Sequence, residues 1–111
     1  MVSLVQVRYL EVYVARNGKK PFIEWLESFK DKTIKHRVQE RLDRVSLGNL
    51  GDCKPVGNGV FELRLAMGAG YCIYFGEEKK NVVILLCGGS KRTQKQDIKR
   101  AINFWKDYLE R

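Results

Sequence analysis

The groups in this sequence best suited to phosphate chemistry are lysine and arginine side chains near the ends of predicted strands. Because strand side chains alternate, Arg64 projects from the sheet face opposite to Leu63 and Leu65. Cations neutralise phosphate charge and a neighbouring group assists proton transfer, while RNA supplies its own nucleophile, the 2′-OH. The side chains that could converge on one concave basic surface are Lys54, Arg64, Cys72, Tyr74, Lys91, Arg92 and Gln94.

The segment Gly88–Gln94 connects the apolar predicted strand Val82–Cys87 to the predicted helix Thr93–Glu110. Its two glycines leave room for a close approach to the backbone. Lys91 and Arg92 precede a helix N-terminus, where outward-pointing N–H groups favour an anion. The pattern predicts a corner that faces phosphate. A plain strand-to-helix turn is the alternative, with these cations, and those on the sheet, serving only solubility.

Composition limits the possible partners and cofactors. The 111 residues are predicted to form one domain, residues 1–111, and the net charge of +8 favours nucleic acid, an acidic protein or an anionic membrane surface. Three cysteines without Cys-x-x-Cys spacing and a single histidine, His36, predict no disulfide framework, metal site or cofactor. No apolar run approaches the ~20 residues of a membrane-spanning helix and no signal peptide is recognisable, so we expect a cytoplasmic protein.

Hydrophobic periodicity predicts an α+β domain in the order β-α-α-β-β-β-β-α, with the helices over one face of the sheet. Thr33 is a possible N-cap of the second helix, whose polar face carries Arg37, Arg41 and Arg44, and Thr93 and Gln96 have capping-box spacing. The predicted strands are Val5–Val14, Cys53–Val56, Val60–Leu65, Tyr71–Phe75 and Val82–Cys87, and the predicted helices start at Pro21, Thr33 and Thr93.

The order and spacing of several motifs resemble one family of bacterial toxins. They are similar to the RelE/ParE toxin superfamily, specifically its HigB-like branch of phage-related addiction module killer proteins. The resemblance covers almost the whole chain. The matching segments are Pro21–Leu26, Gly59–Arg64, Gly70–Phe75, Leu85–Gln94 and Trp105–Tyr108.

The resemblance implies a RelE-like fold, with two N-terminal helices packed on a small, mainly antiparallel sheet and a C-terminal helix. It also implies a type II toxin–antitoxin module, in which the toxin is a metal-independent endoribonuclease that cuts mRNA in the ribosomal A site. The expected partners are mRNA, the ribosome and a helix-turn-helix antitoxin. It implies Arg64, Lys91, Lys54 and Tyr74 as catalytic residues, in that order of importance, and Arg92, Gln94 and Lys95 as RNA-binding residues.

The chain departs from the family pattern on its central strand. The subfamily usually reads Gly-Tyr-Arg-Val-Tyr, whereas Cys72 occupies the Arg position here, and Ser90 stands where an Asp is common. The loss of a cation leaves two alternatives open. One is a ParE-like inhibitor that binds DNA gyrase without catalysis. The other is a decayed toxin that persists as an antitoxin-binding or nucleic-acid-binding module. The three cysteines are expected in or near the core, with an exposed Cys72 thiol as the alternative if its face forms the cleft.

Overall fold

The computed structural model describes residues 7–79 and 81–111 and has an α+β architecture, as the periodicity predicts. The part of the predicted first strand at residues 5–6 lies outside the described residues. The strands are β1 (Tyr9–Val12), β2 (Cys53–Gly57), β3 (Val60–Leu65), β4 (Tyr71–Glu78) and β5 (Val82–Ser90). The helices are α1 (Pro21–Glu27), α2 (Lys32–Ser46) and α3 (Gln94–Leu109), the last preceded by a 3₁₀ turn at Lys91–Thr93.

The described strands form one mixed sheet in the order β1-β5-β4-β3-β2. From β2 to β5 the strands pair antiparallel in sequence order and form a meander, whereas β1 runs parallel to β5. Asn58 and Gly59 connect β2 to β3 with φ angles of 52° and 84°, as expected for a tight hairpin turn at an Asn-Gly pair. The meander brings the end of β3 next to the start of β4.

The expectation that all helices cover one face of the sheet is wrong. Helices α1 and α2 pack on one face, over a core that includes Phe22, Val38 and Ile73. Helix α3 packs on the other face, where Trp105 and Ala101 contact a second core that includes Tyr74. The physical reason lies in β5, which is apolar on both sides and must therefore be covered on both.

A β-bulge in β5 changes the interpretation of the two glycines. Tyr74 pairs with Cys87 and Phe75 with Leu85, so one extra residue of β5 lies between these pairs. Beyond it, a Cβ at Gly88 would overlap the Trp25 ring of α1. A Cβ at Gly89 would overlap the Asp97 carboxylate of α3. The groups that approach this backbone closely are therefore the protein's own side chains.

Local details of the helices also differ from the predictions. Helix α2 begins at Lys32, and Asp31, rather than Thr33, caps it by accepting a 2.8 Å hydrogen bond from the Thr33 N–H. Arg41, predicted on the solvated face, is buried because it reaches the loop after α2, where its Nη2 donates to the Leu50 carbonyl at 2.5 Å. Among the described residues, no helix has the length and apolar character required to span a membrane.

The start of α3 lacks the predicted capping box. The Thr93 side chain does not cap this helix. Instead, its hydroxyl donates to the Asp97 carboxylate and lies 3.4 Å from the Ser90 N–H, which closes the 3₁₀ turn. This turn fixes where Lys91 and Arg92 leave the sheet.

Candidate functional site

A cleft of about 320 Å³ opens at the end of the sheet, where β3 ends, β4 begins and the 3₁₀ turn follows β5. It contains Arg64 and Lys91, the two residues ranked first from the sequence, together with Gln94. Its walls combine polar and apolar groups, so it could accept a ligand with both characters. The lining residues are Asp52, Arg64, Leu65, Ala66, Gly70, Tyr71, Cys72, Lys91 and Gln94.

Arg64 presents only part of its guanidinium to solvent. Its Nε donates a 3.1 Å hydrogen bond to Glu62 Oε1, and its side chain is 44% exposed. This hydrogen bond is the largest contribution that raises the Arg64 pKa. Because a guanidinium carries five N–H donors in a planar fork, engaging Nε leaves both terminal amino groups for a ligand in the cleft.

Glu62 is the residue that connects the predicted site, and the sequence analysis did not single it out. It is fully buried, and it accepts hydrogen bonds from Arg64, from Tyr74 at 3.1 Å and from Gln94 at 2.8 Å. Lys54, its cross-strand neighbour, places Nζ 4.0 Å from Glu62 Oε1. Burial acts to raise the Glu62 pKa, but the hydrogen bonds from Gln94, Arg64 and Tyr74 outweigh it, so the pKa is lowered.

Tyr74 does not line the cleft. Its side chain is fully buried, its hydroxyl donates to Glu62 and it packs in the core beneath α3. Burial is the main cause that raises the Tyr74 pKa far above its ordinary value, and the Glu62 carboxylate adds to it. Tyr74 can therefore influence a ligand in the cleft through Glu62, while direct proton transfer from its hydroxyl is blocked by burial.

Cys72 forms part of the cleft wall as a neutral group. It pairs with Arg64 across β3 and β4, and only 5% of the residue is exposed. Burial is the main cause that raises the Cys72 pKa. The prediction of a cysteine in or near the core is therefore confirmed for Cys72, because α3 covers most of this sheet face.

The other predicted RNA-binding residues line a neighbouring cleft of about 460 Å³ at the start of α3. Arg92 and Lys95 are exposed there, and Lys91 and Gln94 line both clefts. The predicted residues thus form two groups, with Arg64, Lys91 and Gln94 in the central cleft and Arg92 and Lys95 beside it. Lys54 is half-exposed behind Glu62 and is absent from both walls.

Asp52 and Tyr71 complete the central cleft without having been proposed from the sequence. Asp52 is exposed, and its carbonyl accepts a 3.0 Å hydrogen bond from the Arg64 N–H, because β2 begins beside the end of β3. Antiparallel pairing across the Asn-Gly turn was the available signal for Asp52. Tyr71 packs against the core beneath α1 and α2 and also forms a wall of the cleft.

The comparisons with known proteins assign no activity, so the functional interpretation depends on the geometry of the cleft. No protein-family model matches the chain. The chain is 45% identical over 80 residues to a protein of Haemophilus influenzae described as uncharacterized. The matched region spans 72% of this chain and 81% of that protein. Within residues 7–79 and 81–111, no three His, Cys, Asp or Glu side chains cluster as metal ligands would.

Proposed function

Because the chain belongs to the same family as the Haemophilus influenzae protein, whose description assigns no activity, we propose a function from the cleft and from the toxin-like motifs. The protein is a HigB-like toxin of the RelE/ParE superfamily, the toxin of a type II toxin–antitoxin pair. It acts in the cytoplasm as an endoribonuclease on ribosome-bound mRNA. The observation that supports this proposal is that Arg64, from β3, and Lys91, from the 3₁₀ turn after β5, line one cleft.

Arg64 and Lys91 have complementary roles in the proposed reaction. The terminal amino groups of Arg64 hold two non-bridging phosphate oxygens, because its Nε is engaged by Glu62. The Lys91 ammonium adds a second positive charge from the 3₁₀ turn. Negative charge develops on the phosphate in the transition state, so fixed cations around it lower the barrier.

The cleavage step needs a proton acceptor and a proton donor on either side of the phosphate. The RNA 2′-oxygen attacks phosphorus and its proton passes to the Asp52 carboxylate, while the bond from phosphorus to the 5′-oxygen breaks. Lys91 donates a proton to that leaving oxygen. The products are a 2′,3′-cyclic phosphate and a 5′-hydroxyl end.

Expression in bacteria without an antitoxin tests this proposal. The wild-type protein should arrest growth, and primer extension should detect cuts within translated codons. Arg64→Ala and Lys91→Ala should each reduce cleavage by roughly 100- to 1,000-fold, the usual loss for one transition-state donor. Lys106→Ala is the control, because Lys106 lies near the far end of α3. Full cleavage by Arg64→Ala would contradict the proposal.

A ParE-like inhibitor of DNA gyrase is the second candidate, and one observation favours it. The cleft lacks the subfamily's strand arginine, and the Tyr74 hydroxyl is buried, so few groups remain for proton transfer. Growth arrest with double-strand DNA breaks and intact mRNA would support this candidate. A helix-turn-helix antitoxin that restores growth would fit both candidates, so the mRNA measurement decides between them.

A further inference from the structure

Three clefts on this protein lie next to one another and share lining residues. Lys91 and Gln94 line both the central cleft and the one at the start of α3. On its other side, the central cleft shares Tyr71 with a third cleft of about 240 Å³ beneath the start of α2. Arg37 lines that third cleft and is exposed. Cations therefore occur on both sides of the Tyr71 ring.

We propose that these three clefts form one track for single-stranded RNA, in which Tyr71 stacks with a base and Arg37 binds a phosphate beyond it. The proposal rests on the proposed function and extends it to residues outside the cleavage site. Arg92 and Lys95 bind the strand at one end, Arg64 and Lys91 in the middle, and Arg37 at the other end.

Tyr71 is suited to stacking because other rings hold it in place. Its centroid lies 5.1 Å from that of Phe29 and 6.3 Å from that of Trp25, both in edge-to-face arrangements. Its side chain is partly exposed at the wall between the two clefts. A fixed aromatic ring loses little conformational freedom when a base stacks on it, and every base offers an aromatic face.

Arg37 is suited to a phosphate contact because the acidic residue that lines this cleft with it is already engaged. Asp31 lines the same cleft, but its carboxylate accepts the hydrogen bond that caps α2. On its other side, Arg37 borders a further cleft on α2 that it lines together with Glu40, Asp43 and Arg44. Those carboxylates repel a polyanion, so the track ends at Arg37.

A single strand fits this arrangement better than a duplex or an acidic peptide. In a duplex the bases are stacked within the helix, so their faces cannot reach Tyr71. An acidic peptide would use the cations but would gain nothing specific from an aromatic ring. Cations on both sides of an aromatic ring match the alternation of phosphates and bases along a single strand.

The test uses the full chain and a 2′-O-methyl RNA of about ten nucleotides carrying 2-aminopurine, within the size range of single-strand sites. Methylation removes the attacking hydroxyl, so binding is measured without cleavage. Tyr71→Leu should weaken binding by about 5- to 150-fold and abolish quenching of 2-aminopurine, the usual effect of losing one stacked base. Tyr71→Phe keeps the ring and should retain both.

Arg37→Gln should reduce the slope of log K against log salt concentration by about 0.7, the value for one phosphate contact on a single strand. Lys106→Ala should leave the slope unchanged, since Lys106 lies away from all three clefts. Thermal unfolding of each variant separates lost binding from lost folding.

The outcomes separate this inference from the proposed function. If both variants weaken binding as described but unmodified mRNA is never cut, the track is supported and the nuclease is not. If cleavage depends on Arg64 while Arg37→Gln and Tyr71→Leu bind like the wild type, the nuclease is supported and the track is overturned. The track would also be overturned if an acidic peptide displaced the RNA equally well from the wild-type protein and from Tyr71→Leu.

Discussion

Two carboxylates in this protein have the same kinds of partner and different surroundings. Glu62 accepts hydrogen bonds from a tyrosine, Tyr74, and an arginine, Arg64. Asp107 also accepts from a tyrosine, Tyr13, and from two arginines, one of them Arg111. Glu62 is fully buried at the cleft, whereas the Asp107 side chain is 23% exposed near the end of α3.

The difference lies in what the remaining arginine donors face. Arg111 also donates to the Val14 carbonyl and lies over the Tyr13 ring, so its group holds the end of α3 against the segment after β1. Arg64 is held through Nε and directs its free end into the cleft. Similar hydrogen bonds therefore attach two segments at Asp107, whereas at Glu62 they hold an arginine that faces the cleft where we propose that a ligand binds.

Removal of the Glu62 side chain should have the largest effect on stability. Glu62→Ala leaves Tyr74 and Gln94 without their acceptor in a buried region, and breaking such a network costs about 3–5 kcal/mol. Urea unfolding measures the loss, with Asp107→Ala as the matched variant. An equal or larger loss for Asp107→Ala would contradict the comparison.

Glu62→Gln should separate activity from folding. The amide is isosteric but no longer a charged acceptor, so Arg64 is held less firmly, and misplacement by about 1 Å costs roughly 100-fold in rate. Cleavage of ribosome-bound mRNA measures this effect. The same change at the other carboxylate, Asp107→Asn, should leave cleavage within about twofold, since nothing there faces the cleft.

Arg64→Lys tests the fork geometry. Lysine keeps the charge but cannot bind Glu62 and a phosphate through separate, fixed donors. We expect a loss of at least about tenfold in cleavage with little change in the unfolding midpoint. Retention of full activity would mean that Arg64 acts only as a point charge.

Acid unfolding should measure how much Asp107, the partly exposed carboxylate, contributes to stability. Hydrogen bonds from Tyr13 and Arg16 lower the Asp107 pKa to about 2. Since the unfolded value is about 3.9, this carboxylate stabilises the fold above about pH 4, and its contribution is lost as the pH falls through about 2. The Tm difference between wild type and Asp107→Asn should therefore shrink across that range. A constant difference would contradict the assignment.

Much of this architecture could be predicted because alternation and helical periodicity are local. Alternation in β3 correctly placed Arg64 opposite Leu63, and an Asn-Gly pair marked the hairpin. The strand apolar on both faces already implied two covering layers, although all helices were expected on one. The burial of Glu62 was not predictable, because it depends on Gln94 arriving from α3, 32 positions away.

The role of the two glycines could not be predicted for a similar reason. A bulge in β5 and the position of α1 determine that the Trp25 ring fills the space above Gly88. The sequence shows that a glycine leaves space for a close approach to the backbone, but it does not show which group fills that space. For Asp52, the Asn-Gly turn indicated that β2 pairs with β3, but its place in the cleft also depends on the exact register between these strands.

The central claim is that Arg64 and Lys91 act on one phosphate, and a double-mutant cycle on cleavage of ribosome-bound mRNA tests it most directly. Groups that act as a unit give strongly non-additive losses. We predict that Arg64→Ala combined with Lys91→Ala reduces the rate scarcely more than the worse single variant. Two losses that multiply as independent factors would contradict a shared phosphate.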